Sequence, residues 1–112
     1  MRPIALAAPL VLAALPAFAH AGLTGSMPAA KTGVKTPALI KLDFSEALEP
    51  AFSGAELANA RGANIPVAKS VGGTVITLLP PRLRPGAYTV TWHSVGHDTH
   101  RLTGKFVFTV IP

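Results

Sequence analysis

Three residues of this sequence could together hold a transition-metal ion: His20, Asp98 and His100. Asp98-Thr99-His100 is a D-x-H triplet, and in an extended segment residues two apart project from one face, so its carboxylate and imidazole could reach one ion while Thr99 points away. His20 follows Ala17-Phe18-Ala19, a small-residue pattern that signal peptidase cuts. Cleavage between Ala19 and His20 creates an N-terminus with two donors, the α-amine and ring Nδ1, that close a chelate ring on one ion. No internal histidine can do this. The α-amine titrates not far above neutral pH, so a strongly competing metal displaces its proton. Cu(II) heads the divalent affinity order and favours tetragonal nitrogen and oxygen ligation. An amine, two imidazoles and a carboxylate make such a set, for one Cu(II) per chain. Taken alone, His20 reads as an exposed terminal residue and Asp98 as a loop-capping carboxylate; their combination points to the metal.

The leader itself is legible. Met1 and Arg2 run into an apolar stretch from Ile4 to Leu15, then Pro16 and the small-residue triplet, the layout of a cleavable secretory signal over residues 1–19. The apolar run is too short for a bilayer crossing of about 20 residues, and no later stretch is long and apolar enough. Residues 20–112 are therefore expected to form one exported domain. The chain has no cysteine, so disulfides and thiolate chemistry are excluded, leaving histidine, carboxylate, methionine and the free amine as metal ligands.

The cations Lys31, Lys35, Lys41, Arg61, Lys69, Arg82, Arg84, Arg101 and Lys105 are spread along the domain without forming a block. Nucleic-acid binders concentrate basic residues and interleave aromatics, so no nucleic-acid partner is expected. The charge reads as a solvated surface, with attraction to anionic lipid or an acidic partner as a secondary option. His93 and His97 lie close to the triplet in sequence. His97 has the opposite parity to Asp98 and His100 in a regular strand, and both are left outside the primary site.

The elements that must position these residues are strands. Ile40, Leu42 and Phe44 alternate with Lys41 and Asp43 over Leu39 to Phe44, the pattern of a half-buried strand. Further strands are predicted over Thr74 to Leu79, Ala87 to Val95 and Lys105 to Ile111, with shorter pieces at Leu23 to Ser26, Ala55 to Ala60 and Ile65 to Lys69. Proline and glycine recur between them and leave no room for long helices, which indicates an all-β sandwich of about seven strands. Arg84-Pro85-Gly86-Ala87-Tyr88 is similar to the tyrosine corner of immunoglobulin-like domains, and Tyr88 and Trp92 are expected in the core.

The sequence resembles the CopC family of periplasmic copper-resistance proteins over essentially the whole exported chain. The resemblance rests on His20 after the cleavage site, Ser26-Met27-Pro28-Ala29, Leu42-Asp43-Phe44-Ser45-Glu46-Ala47-Leu48, Phe52-Ser53-Gly54-Ala55, the run Pro85 to Trp92, and Asp98-Thr99-His100 ahead of Gly104 to Val110. It implies an immunoglobulin-like Greek-key β-sandwich with Cu(II) on His20, Asp98 and His100. Some members carry a Met-rich Cu(I) site in mid-chain. Here Ala58 to Gly73 has no methionine or histidine and Met27 is the sole methionine after the leader, so no such site is expected. The expected function is copper sequestration, resistance or delivery by a monomer, without catalysis, any membrane copper transporter being a separate chain. The alternative is a small copper-dependent oxidative enzyme resembling lytic polysaccharide monooxygenases. Those enzymes keep an open copper face and exposed aromatics, whereas the Trp and Tyr here have core parity.

Overall fold

The computed structural model describes residues 21–112; the predicted leader over residues 1–19 and His20 lie outside the described residues. Among the described residues nine strands follow in order: β1 (Leu23–Met27), β2 (Gly33–Val34), β3 (Ile40–Phe44), β4 (Gly54–Asn59), β5 (Asn64–Ile65), β6 (Ala68–Gly72), β7 (Val75–Leu79), β8 (Gly86–Val95) and β9 (Arg101–Val110). Two are only two residues long, and the remaining seven match the number expected. They form two sheets, β1-β3-β7-β6 and β2-β9-β8-β4-β5. As in Greek-key sandwiches, the chain passes repeatedly from one sheet to the other, and no helix occurs among the described residues.

The core follows from the period-two pattern of the strands. Ile40, Leu42 and Phe44 of β3 with Ile76 and Leu78 of β7 face Leu57, Tyr88, Val90, Trp92, Phe106, Phe108 and Val110 of the other sheet, and all are buried. Trp92 meets the Phe44 ring edge-on at 5.3 Å, and Tyr88 stacks on Phe108 at 5.9 Å. The Tyr88 hydroxyl donates to the Arg84 carbonyl at 2.6 Å, the upstream backbone contact that defines a tyrosine corner.

Two boundaries differ from the sequence reading for physical reasons. β9 begins at Arg101, four residues before the expected start, and pairs with β8 along ten positions from Gly86↔Val110 to Val95↔Arg101. Gly104, read as punctuation, lies inside this ladder opposite Trp92. A Cβ there would overlap the indole ring, so the glycine makes room for the tryptophan. The expected strand over Ile65 to Lys69 is two strands: β5 pairs with β4 in one sheet and β6 with β7 in the other. Pro66, which has no N–H to donate to a ladder, separates them. The pairing of β2 with the end of β9 is parallel and was not anticipated, since two residues carry no periodicity.

Candidate metal centre

The long β8–β9 hairpin ends in the connection that carries Asp98 and His100. The Thr99 N–H donates to the Gly96 carbonyl at 3.0 Å, and Thr99 is left-handed with φ 66°, a conformation uncommon outside glycine, asparagine and aspartate. The segment is therefore a turn, which corrects the expectation of an extended D-x-H triplet. The pair still comes together, by a different route. Asp98 Oδ1 accepts the His100 backbone N–H at 3.2 Å, as an Asx-turn does, and this folds the His100 ring back until its Nδ1 lies 3.1 Å from Asp98 Oδ2. The carboxylate is mostly covered while the imidazole is open, with side-chain exposures of 18% and 69%.

This turn is braced by two other parts of the chain. Ser94 sits at an inward position of β8, fully buried, and its hydroxyl donates to the carbonyl of Ala21 at 2.5 Å. Ala21 is itself fully buried. Next in the chain, Gly22 donates its N–H to Ser45 Oγ at 3.0 Å and accepts from the Ser45 N–H at 2.8 Å. The connection between β3 and β4 closes the other side: the Glu49 N–H donates to the Val95 carbonyl at 2.8 Å, and the Val95 N–H donates to Ser53 Oγ at 3.0 Å. These contacts cover both faces of the strand end, which is why Ser94, Val95 and Gly96 are all buried where the ladder pattern would alternate.

Glu46 belongs to the same corner. A Cβ on Gly96 would run into the Glu46 carboxylate and approach the Ala21 Cβ at 3.5 Å, so Ala21, Glu46 and Gly96 converge two residues before Asp98. Sequence reasoning missed Glu46, because its spacing from the D-x-H triplet contains no signal. A signal for Ser94 did exist: a polar residue at the inward position two after Trp92 must find a buried partner.

Among the described residues, the two other histidines do not join the pair. His97 Nδ1 lies 3.4 Å from Glu49 Oε1. His93 stands on the outer face of its sheet between Gly54 and Thr103. Burial there pushes its pKa below the ordinary value, and the nearby charges of Arg101 and Lys69 push the same way against a smaller opposing effect of Glu56. Among the described residues no three His, Asp or Glu side chains converge as a metal cluster; Asp98 and His100 bring two potential donor atoms together. Their separation fits shared ligation. Donors 3.1 Å apart, each about 2.0 Å from an ion, subtend about 100° there, near the right angle of adjacent tetragonal positions.

Comparison with known proteins agrees with this architecture. Residues 23–111 match the CopC domain family. The chain is 39% identical over 115 residues to Copper resistance protein C of Pseudomonas syringae pv. tomato, covering 93% of this chain and 90% of that protein. It is 38% identical over 99 residues to Protein YobA of Escherichia coli K12, covering 83% and 80%. Among solved structures, CopC from Methylosinus trichosporium OB3b superposes with a TM-score of 0.78 at 32% identity, over 83% of this chain and 95% of that one. PcoC, a methionine-rich copper resistance protein from Escherichia coli, gives 0.77 at 35% identity, over 83% and 100%. The chain belongs to the CopC family.

Proposed function

We propose that the exported chain, beginning at His20, binds one Cu(II) ion in the periplasm through the His20 amine and imidazole, Asp98 and His100. The observation that carries this reading is the burial of Ala21 against the end of β8. His20 is bonded to Ala21 and consecutive Cα atoms are about 3.8 Å apart, so the chelating terminus starts from a residue held by Ser94 and packed near Gly96. The names of the relatives, copper resistance proteins, support copper as the metal.

In this reading the fold does the positioning that a flexible N-terminus lacks. Ser94 and Ser45 fix the two residues that follow the ligand, and the Asx-turn fixes the partner pair. The covered carboxylate of Asp98 supplies negative charge to the ion, and Glu46 adds a second carboxylate at the same corner. A site filled by four protein donors suits holding and passing on copper better than turnover. Trp92 and Tyr88 are spent in the core, which disfavours the oxidative alternative with its exposed aromatic platform. With Met1 and Met27 as the only methionines, this chain lacks the methionine richness named for PcoC and has no thioether cluster to hold Cu(I). The protein is then a single-site Cu(II) carrier for sequestration, resistance or delivery, acting as a monomer.

A competition titration against a Cu(II) chelator tests this. One equivalent of tight binding that His100→Ala weakens by more than about 100-fold, beyond what loss of an outer-shell group costs, is the expected result. Unchanged affinity in His100→Ala would overturn the assignment.

A further inference from the structure

Spread out in sequence, four of the cations meet in the fold. Lys35 follows β2, Arg61 turns the chain between β4 and β5, and Arg82 and Arg84 lie between β7 and β8. Lys35, Arg82 and Arg84 line one open cleft of about 540 Å³ together with Leu83, Ile111 and Pro112. Arg61 and Arg84 line a second cleft, which shares Arg84 and Pro85 with the first. The four cations thus form one surface at the end of the sandwich where β8 begins and β9 finishes. All four are exposed, and among the described residues none takes part in an ion pair.

The carboxylate side chains are segregated from this surface. Asp43, Glu46, Glu49 and Asp98 lie toward the opposite ends of β3 and β8, and Glu56 sits in mid-sheet opposite Thr91. Exposed aliphatic groups lie toward this end instead. Ile111 is 43% exposed in the first cleft, and Leu39 and Leu79, at 41% and 53%, flank the same end of the β3–β7 pair.

We propose that this cationic end docks the protein on an anionic phospholipid bilayer, with Lys35, Arg61, Arg82 and Arg84 on headgroup phosphates and the aliphatic tips at the interface. Basic residues near an anionic surface add their attractions, and apolar side chains beside them add burial. A planar polyanion fits better than an acidic peptide, because the cations come from three separate connections and cover one broad end, with exposed Ile111 in the cleft they line. Docked this way, the Asp98–His100 turn stands at the far end of the ten-residue β8, about 30 Å from the lipid at about 3.3 Å per residue, open to the aqueous phase.

Co-sedimentation of the exported chain with vesicles tests the proposal. Binding is expected to phosphatidylcholine vesicles containing one quarter phosphatidylglycerol at low salt, and to disappear in pure phosphatidylcholine or at high salt. R82E/R84E should lower partitioning about 25-fold or more, at about fivefold per cation. K41E/K105E makes the same change in net charge on the two sheet faces and should cost much less. A circular dichroism melt checks each variant, with R82Q/R84Q in reserve should the reversal unfold the domain. Indifference to phosphatidylglycerol, equal losses in the two double variants, or capture by poly-glutamate but not by vesicles would overturn the proposal.

Discussion

The Ser94 hydroxyl donates to the carbonyl of Ala21, seventy-three residues away in sequence, with both residues fully buried. This bond ties the start of the described chain to the strand that ends in the Asp98–His100 turn. Removing the hydroxyl leaves a buried carbonyl without its donor, at a cost of about 1–3 kcal/mol. Ser94→Ala should lower the melting temperature of the metal-free protein and also weaken Cu(II) binding, since His20 is then less well held. A melt paired with a copper titration checks this; a stability loss with unchanged copper affinity would separate the bond from the site.

His100 presents the opposite case. Its imidazole is largely open to solvent, so His100→Ala should leave the melt within about 0.5 kcal/mol of the parent while copper affinity collapses. Thermal denaturation of the metal-free variant is the check on the first half of that statement.

Trp92 and Gly104 should behave as one packing unit. Trp92→Ala opens a cavity beside Phe44 and is expected to cost about 3–5 kcal/mol. Gly104→Ala pushes a methyl group into the indole and is expected to cost about 1–3 kcal/mol by overpacking. Urea titrations of both variants read these values, and a neutral Gly104→Ala would show that the ring has room to move.

His93 gives a pH dependence with a definite sign. Its folded pKa lies below the ordinary value of 6.5, through burial first and then Arg101 and Lys69. The unfolded chain therefore binds the proton more readily. Stability is unaffected well above pH 6.5, falls as the pH drops through that value, and levels off once the folded pKa is passed. His93→Gln should flatten this part of the stability profile, measured by denaturation between pH 7.5 and pH 5.

Much of this was legible in the sequence, because strands bury alternate residues. Ile40, Leu42 and Phe44, or Phe106, Phe108 and Val110, announce their faces without any knowledge of partners, and Arg84 to Tyr88 announces its corner. Tertiary effects were not legible. Gly104 reads as a breaker until the indole opposite is known, and Pro66 divides between two sheets a run that looks like one strand. At the site, the residue types of Asp98 and His100 were readable but the geometry that joins them was not, since an Asx-turn with a left-handed Thr99 replaces the extended segment. Glu46 and Ser94 depend on contacts across long stretches of chain, which local spacing does not encode. The cationic end escaped notice for the same reason: it is assembled from three connections.

The most direct test of the copper assignment compares two forms of the protein, one starting at His20 and one with a single extra residue ahead of it, by Cu(II) titration and electron paramagnetic resonance. The account expects one tight tetragonal site with nitrogen couplings in the first form, and its loss in the second, where the amine has become an amide. Equal binding and identical spectra in the two forms would contradict it, because the amine of His20 would then not be a ligand.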